Sequence, residues 1–433
     1  MDALIDRLIP IAALLIIVAS QLFWLRRFID FGERFIPGKQ GRLVLKVVVI
    51  GTCLFFFVGI LVPWRSTSGN SAHASTTLTL RSILIVAPLS WWLVGSLIGL
   101  LLITIFTTAD RVVRAAAWLY CKARAVAAAH VPNPTPGASA LDPPSPGRRR
   151  FLEQTAIALS ATPFAASAYG LLYGRLDMEI TRRRIILARL PKAFDGFRIA
   201  LLSDVHISPF MTGDQVRRYV AVTNELKADL IALTGDYLAD DPAAQEEVVH
   251  ILAGLRAPFG VFGCLGNHEF MTETEESITR LFASERIRIL RQEQALVQSH
   301  GETMNLIGFD YQQARFARDH VGHLVDQYME GNEKLVMPGM VNILLNHNPN
   351  AFDRVAELGI DLMLSGHLHG GQMSLAFLWR GLSLARVTTP YVTGWYEKSG
   401  SQLYVNRGIG TTVFPIRFGA RPEITVLELV RGT

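Results

Sequence analysis

The sequence predicts N-terminal transmembrane α-helices followed by an α/β layered domain, and three observations carry that expectation. Nearly all the long apolar runs lie before about residue 173, and they lift the mean hydropathy of the chain above zero. From 175 onward, apolar runs of strand length alternate with amphipathic stretches of helix length. Five short polar blocks recur there, each placed where an apolar run stops. At 433 residues the chain is too long for one ordinary core, so more than one structural unit is expected.

Three runs, 8–25, 43–64 and 82–107, have the length and apolar content of bilayer-spanning helices. Lys46 lies near an end of the second, where its long stem lets the ammonium reach the interface. A fourth run, 155–173, is weaker, being rich in Ala, Ser and Thr and broken by Pro163. Arg26, Arg27, Arg34, Lys39, Arg42 and Lys46 surround the first connection. Arg111, Arg114, Lys122, Arg124, Arg148, Arg149 and Arg150 line the third, whereas the second, 65–81, has basic residues only at its edges. Because basic loops stay in the cytoplasm, the first and third connections belong there, and a spanning fourth run exports everything after it. The expected localisation is integral to a bacterial-type inner membrane, with the C-terminal domain on the extracytoplasmic side. The net charge of +5 is then a membrane-flanking bias rather than a nucleic-acid footprint.

Pro132, Pro134, Pro136, Pro143, Pro144 and Pro146 make 125–150 an extended linker. The organisation is therefore a polytopic membrane region over 1–124, the linker, a fourth hydrophobic segment over 151–174, and a globular domain over 175–433. Arg148-Arg149-Arg150-Phe151-Leu152 resembles the core of a twin-arginine export signal, although Gly147 and Glu153 depart from its usual flanks. Read more simply, it is a basic stop before a fourth helix, and both readings export the domain. Cys53, Cys121 and Cys264 are scattered, which excludes an intradomain disulfide and a Cys-rich zinc motif.

Within the globular half, 185–190 and 197–203 read as strands and 213–227 as an amphipathic helix. Strand 229–234, helix 242–255 and strand 261–265 follow, then strands at 304–309, 341–345, 361–364, 402–405 and 423–429. Strands alternating with helices give an α/β layered fold, and the polar blocks fall after the strands' carboxyl ends, where such folds gather ligands.

The blocks supply metal-binding chemistry. Asp204 and His206 are one residue apart, so in an extended segment they point the same way and can chelate one ion. Gly235-Asp236 ordinarily caps a helix or makes a turn, but a carboxylate also has enough lone pairs to bridge two ions. In Gly266-Asn267-His268-Glu269, Asn267 offers a neutral oxygen while His268 can stay free of metal and face substrate. His347 follows the strand 341–345, and His367 and His369 share one side of an extended, glycine-flanked strip. Singly, most of these are common structural motifs; all five together are not what a core or an anchor requires. Mixed imidazole, carboxylate and amide ligands suit Mn, Fe, Zn or Co rather than calcium.

The order Asp-x-His, Gly-Asp, Gly-Asn-His-Glu, His, Gly-His-x-His resembles that of the calcineurin-like metallophosphoesterases. The phrases LLSDVHIS, LTGDYLAD, LGNHEF, LLNHNP and MLSGHLHGGQ, with the closing NRGIGTTVFPIRFGARPEI, are similar to its membrane-associated or exported branch. The resemblance covers about 180–430 and implies a central β-sandwich flanked by helices. It also implies two divalent transition-metal ions. Asp204, His206 and His369 would hold the first, Asn267, His347 and His367 the second; Asp236 would bridge them, and His268 would be catalytic.

The expected activity is hydrolysis of a phosphomonoester, phosphodiester or pyrophosphate bond by metal-activated water. The expected partners are the membrane and a phosphorylated small-molecule or lipid-linked substrate. UDP-2,3-diacylglucosamine pyrophosphate hydrolysis in lipid A biosynthesis is an alternative implied by the branch, and a non-enzymatic receptor or scaffold is an alternative of another class. Nucleic acid is not expected, since no basic stripe or aromatic platform accompanies the blocks. His320 and His323 read as surface residues on a helical stretch. Arg407 and Arg417 are open between phosphate clamps and ion pairs. Phe210, Met211, Trp379 and Trp395 are open between an apolar rim near the site, insertion into lipid, and core. His250 and His300 carry no signal.

Overall fold

The computed structural model describes residues 2–61, 76–128, 146–311, 318–375, 383–387 and 389–432. The chain divides into two compact units, Met1–Val62 with Pro88–Ala168, and Pro63–Ala87 with Tyr169–Thr433. The first is built from helices α1 (Asp2–Phe35), α2 (Lys39–Leu61), α3 (Ala87–Ala128) and α4 (Pro146–Tyr169). Among the described residues, Ile11–Phe35 and Ser82–Ala123 are long and apolar enough to cross a membrane.

Part of two expectations falls outside the described residues: the tail of the second span at 62–64, and 129–145 of the linker. The linker's ends are helical instead. Alanines carry α3 through Ala128, and Pro146 occupies the first turn of α4, where a missing N–H costs nothing. The arginine triplet Arg148 to Arg150 is thus part of α4.

Several buried polar groups in this unit are paired. Trp92 Nε1 donates to Gln21 Oε1 at 2.7 Å, Trp24 Nε1 to the Ser96 carbonyl at 2.9 Å, and Trp91 Nε1 to the Phe164 carbonyl at 2.8 Å. Glycines let the rings approach, since a Cβ on Gly95 would lie 2.4 Å from the Phe164 ring. Close fit and hydrogen bonding are what hold helices together where lipid offers no hydrophobic drive.

The second unit is a two-sheet sandwich. Its strands are β1 (Glu179–Leu187), β2 (Arg198–Leu202), β3 (Leu230–Thr234), β4 (Val261–Cys264), β5 (Ile287–Ile289), β6 (Glu293–Ser299), β7 (Glu302–Gly308), β8 (Asn342–Leu345), β9 (Leu362–Ser365), β10 (Gly394–Lys398), β11 (Ser401–Val405) and β12 (Glu423–Arg431). They form one sheet in the order β1-β12-β2-β3-β4-β5 and another in the order β10-β11-β9-β8-β7-β6. Helices α5 (Gly213–Glu225), α6 (Gln245–Leu252), α7 (Asn267–Met271), α8 (Glu275–Ser284) and α9 (Arg318–Met329) occupy the connections.

Period-two alternation sorts each strand's side chains into layers. Ile199 and Leu201 join Leu362 and Leu364 in the core between the sheets. Ala200 and Leu202 face the opposite way, onto α5 and α6 residues such as Val216 and Val248, and Met363 faces Phe352 and Val355. The expected sandwich flanked by helices is what the chain forms.

Three strands escape the sequence pattern. β5 is only three residues long, and β6 and β10 lie at or beside sheet edges with exposed residues alternating along them. β1 also begins at Glu179 rather than 185, because Arg182, Arg183 and Arg184 point out from an edge strand that pairs with β12 alone. Gly95→Leu is expected to force the Phe164 ring aside. It should destabilise the helical unit by about 1–3 kcal/mol, read as a lower unfolding temperature of the detergent-solubilised chain.

Candidate metal centre

The five blocks begin immediately after β2, β3, β4, β8 and β9, at the carboxyl ends of parallel strands drawn from both sheets. Their backbone is not extended. Asp204, His206, Asp236, His367 and His369 all have positive φ, between 47° and 76°. A non-glycine residue is strained there by on the order of 1–3 kcal/mol, and such strain gathers at functional sites. Glycines let the segments close up: a Cβ on Gly266 would lie 2.1 Å from Asp236 Oδ1, and one on Gly366 2.2 Å from Asp204 Oδ2.

This geometry corrects the reading of His367 and His369 as neighbours on an extended strip. The two rings diverge. His369 Nε2 lies 3.1 Å from His206 Nε2 and 3.3 Å from Asp204 Oδ1, whereas His367 Nδ1 lies 3.2 Å from His347 Nε2. Asp236 Oδ2 stands between the groups, 3.4 Å from His206 Nε2 and 3.2 Å from His347 Nε2. Three overlapping sets of side chains are close enough to hold an ion: Asp204, His206 and His369; Asp236, His347 and His367; and His206, Asp236 and His268.

The donor chemistry fits metal ions. A carbonyl can only accept, so His206 Nδ1–H donates to the Leu238 carbonyl at 3.0 Å and leaves Nε2 bare toward His369. His347 Nδ1 faces the Thr234 carbonyl at 2.5 Å in the same way, so Nε2, aimed at Asp236 and His367, is the nitrogen that gains or loses a proton. Asn267 Oδ1 is buried without a hydrogen-bond partner, which is costly for an amide oxygen unless a cation meets it. Burial and the neighbouring His268 push His206 down to about 3, and burial with His347 does the same to His367. Both imidazoles are neutral and ready to ligate. Burial raises Asp204 to about 6. It also opposes ionisation of Asp236, yet His347, His268 and His206 together hold that carboxyl well below the usual range.

His268 is placed differently. Its backbone N–H donates to Asp236 Oδ1 at 2.9 Å, its Nδ1 faces the Ala239 carbonyl, and its ring stands 4.5 Å from that of His206. Burial works against its imidazolium, but Asp236, the Ala239 carbonyl and Asp240 together raise its pKa.

Three further residues shape the centre in ways the sequence does not show. Glu269 accepts from the backbone N–H groups of Asp236, Tyr237, Leu238 and Gly266, at 2.8–3.2 Å. Tyr311 packs its ring 5.5 Å from His367 and 5.9 Å from His347, and burial beside Asp236 raises its phenol to about 12. Arg417, 1% exposed, donates to the carbonyls of Gly410, Ala420, Arg407 and Gly408, and its Nη2 lies 3.1 Å from His369 Nδ1. It braces the His369 ring and does not stand free as a phosphate clamp. Arg407 is held by Glu423 and Glu179, each at 2.7 Å, and is likewise no free clamp.

Met211 is core, Phe210 is half-buried, and Trp395 lies under Arg183 on β10, 5.0 Å from its guanidinium; Trp379 falls outside the described residues. His320 and His323 lie on α9.

Comparison with known proteins agrees with this geometry. Residues 197–371 match the family described as calcineurin-like phosphoesterase. The metallophosphoesterase YkuE of Bacillus subtilis is 32% identical over 295 residues, covering 65% of this chain and 97% of that protein. This chain belongs to the calcineurin-like phosphoesterase family.

The phosphodiesterase YaeI of Escherichia coli is 29% identical, over 65% of this chain and 99% of that protein. A Danio rerio transmembrane protein with metallophosphoesterase domain is 30% identical, over 64% of this chain; the chain spans 62% of that relative's length. Residues 6–175 match a second description, the transmembrane domain of four-span calcineurin-like phosphoesterases. The chain is thus a membrane-associated member of the family.

Metal uptake at pH 7 is expected to release about one proton, from His347, because ligation needs a bare Nε2 and this imidazole is raised to about 9. Asp204, at about 6, is already ionised at pH 7 and adds its own proton only below that value, so affinity should fall more steeply in acid. Calorimetric titration with Mn²⁺ in two buffers of different ionisation heat measures the count. Absence of any buffer dependence at pH 7 contradicts this charge state.

Proposed function

We propose that the chain is a membrane-tethered, binuclear metal-dependent phosphoesterase acting on an envelope or lipid-linked substrate. The observation that carries this reading is Asp236 Oδ2 standing between two imidazole groups whose ring nitrogens converge. In this reading Asp204, His206 and His369 hold one divalent ion, Asn267, His347 and His367 hold the other, and Asp236 serves both. The donor set suits Mn, Fe, Zn or Co. Such a pair, when bound, supplies Lewis acidity toward water and phosphoryl oxygens.

The chain's own groups then do three things. Glu269 keeps the Asp236 turn and the Asn267–His268 turn at a fixed separation. The Leu238 and Thr234 carbonyls fix the rings of His206 and His347, so the nitrogens facing the centre need no reorganisation. His268, held by the Ala239 carbonyl with its imidazolium favoured, carries a proton that it can give to the leaving-group oxygen.

The extracytoplasmic placement has support beyond the arginine bias. Thr76, in the connection that precedes α3, accepts from the Gly213 N–H at 3.2 Å, and its hydroxyl bonds Glu247. A domain that touches this connection shares its side of the membrane. A crossing fourth segment satisfies that requirement, whichever way its export is driven by Arg148 and Arg149. The UDP-2,3-diacylglucosamine alternative calls for a cytoplasmic site and fits this contact, combined with the arginine bias, less well.

Purified full-length chain in nanodiscs, loaded with Mn²⁺, should hydrolyse bis-p-nitrophenyl phosphate; no turnover with Mn, Zn, Fe or Co would overturn the enzymatic reading. Asp236→Asn should lose bound metal and activity together, by elemental analysis and rate assay. His268→Ala should keep its metal while turnover falls by roughly 100-fold or more; loss of metal in that variant makes His268 a ligand instead. Thr76→Cys with Glu247→Cys should form a disulfide in oxidised membranes, and its absence argues that the connection and the domain lie on opposite sides.

A further inference from the structure

We infer that the domain rests its metal-bearing end on the bilayer surface through an apolar collar, Tyr169, Leu172, Tyr173 and Leu176 together with the Val413 loop. The inference rests on the membrane-tethered reading above and deepens it, since it sets the centre at the height of lipid headgroups.

The collar begins where α4 ends. Tyr169 is the last residue of that helix, and the four-span membrane-domain match runs on to residue 175. Leu172 is 73% exposed, and Tyr169, Tyr173 and Leu176 are exposed as well; the two tyrosine rings stand 5.3 Å apart. Paired tyrosines at the end of the residues matching a transmembrane domain are the composition of a membrane–water interface, where an apolar ring and a polar hydroxyl both find their medium.

The loop 410–418 is seated directly on this collar. The Arg417 N–H donates to the Gly170 carbonyl at 3.2 Å, and Phe418 packs edge-on to Tyr169 at 6.2 Å. A Cβ on Gly174 would fall 2.1 Å from the Arg417 carbonyl oxygen, so the two backbones are in contact. From that seat the loop puts Val413 outward, 78% exposed and at φ 60°. A β-branched side chain in the left-handed region is strained, and exposure to water returns nothing for it. Burial in the apolar edge of a bilayer does.

The same loop is fastened to the metal centre. Gln372 Nε2 donates to the carbonyls of Thr412 and Phe414, both at 2.9 Å, and Arg417 reaches His369. On the other side, Arg175 donates to the Phe210 carbonyl at 2.7 Å, and Phe210 follows the His206 block. The collar therefore touches the segments that follow two of the ligand blocks. The bilayer, rather than a protein, is the occupant these observations favour, because the surface continues without a break from the last residues that match the family's transmembrane domain.

The test uses the full-length chain with Cys53 and Cys121 changed to Ser, carrying Val413→Cys labelled with an environment-sensitive fluorophore, in phosphatidylglycerol nanodiscs. Lipids with a nitroxide near the headgroup should quench this label, while the same label at Glu285→Cys, an exposed position on the end of α8, reports the water phase. Quenching no stronger at 413 than at 285 overturns the inference, even if soluble diesters are still hydrolysed. Val413→Asp gives a second readout. It should leave hydrolysis of bis-p-nitrophenyl phosphate unchanged and abolish the quenching of a label at Leu172→Cys, or lower it by roughly tenfold, the effect of one lost apolar burial. Undiminished quenching there shows that Val413 takes no part. Failure of all hydrolysis with quenching intact would instead remove the enzymatic reading and leave the surface standing.

Discussion

The centre depends on one buried carboxylate that takes no direct part in it. Glu269 gathers four backbone N–H groups from two separate turns, three from 236–238 and one from Gly266. Charge-assisted bonds of this kind are short and directional, and in a buried setting each is costly to lose. They fix Asp236 relative to Asn267 and His268, and hence fix β3's end relative to β4's. Without that brace, left-handed residues such as Asp236 would relax toward ordinary turns, and the lone pairs would no longer converge.

The rest of the domain can be understood as what makes such a site affordable. Several residues sit at positive φ, and an amide oxygen stays unpaired. These features oppose folding until cations arrive. They are offset by the continuous apolar layer between the two sheets and by the helix-covered outer faces, whose residues are almost all fully buried. The glycines at 266 and 366 lower the cost further, because no side chain has to be accommodated against Asp236 or Asp204.

Much of this was legible in the sequence, and the parts that were not share a cause. The polar blocks stood out because each interrupts an apolar run at a strand's end, and β2, β3, β8 and β9 stood out as short, nearly continuous apolar runs; the sandwich they build was implied by the family resemblance. Edge strands were harder, since Arg182 to Arg184 in β1 read as a polar segment. The divergence of His367 and His369 was hidden because it depends on backbone handedness, which side-chain spacing does not reveal. Glu269 and Arg417 were opaque for a related reason: their partners are mostly main-chain atoms, and those carry no residue-type signature. Arg407 was ambiguous until its two carboxylate partners, Glu179 and Glu423, arrived from distant parts of the chain.

Thr76 brings the connection before α3 into the globular unit. Here the chain enters at Tyr169 and is also bonded through Thr76 to Gly213 and Glu247, on the turns that open α5 and α6. A lipid-linked substrate, the class proposed above, would reach such a site by lateral diffusion in a plane, and its encounter rate would scale with surface density rather than bulk concentration.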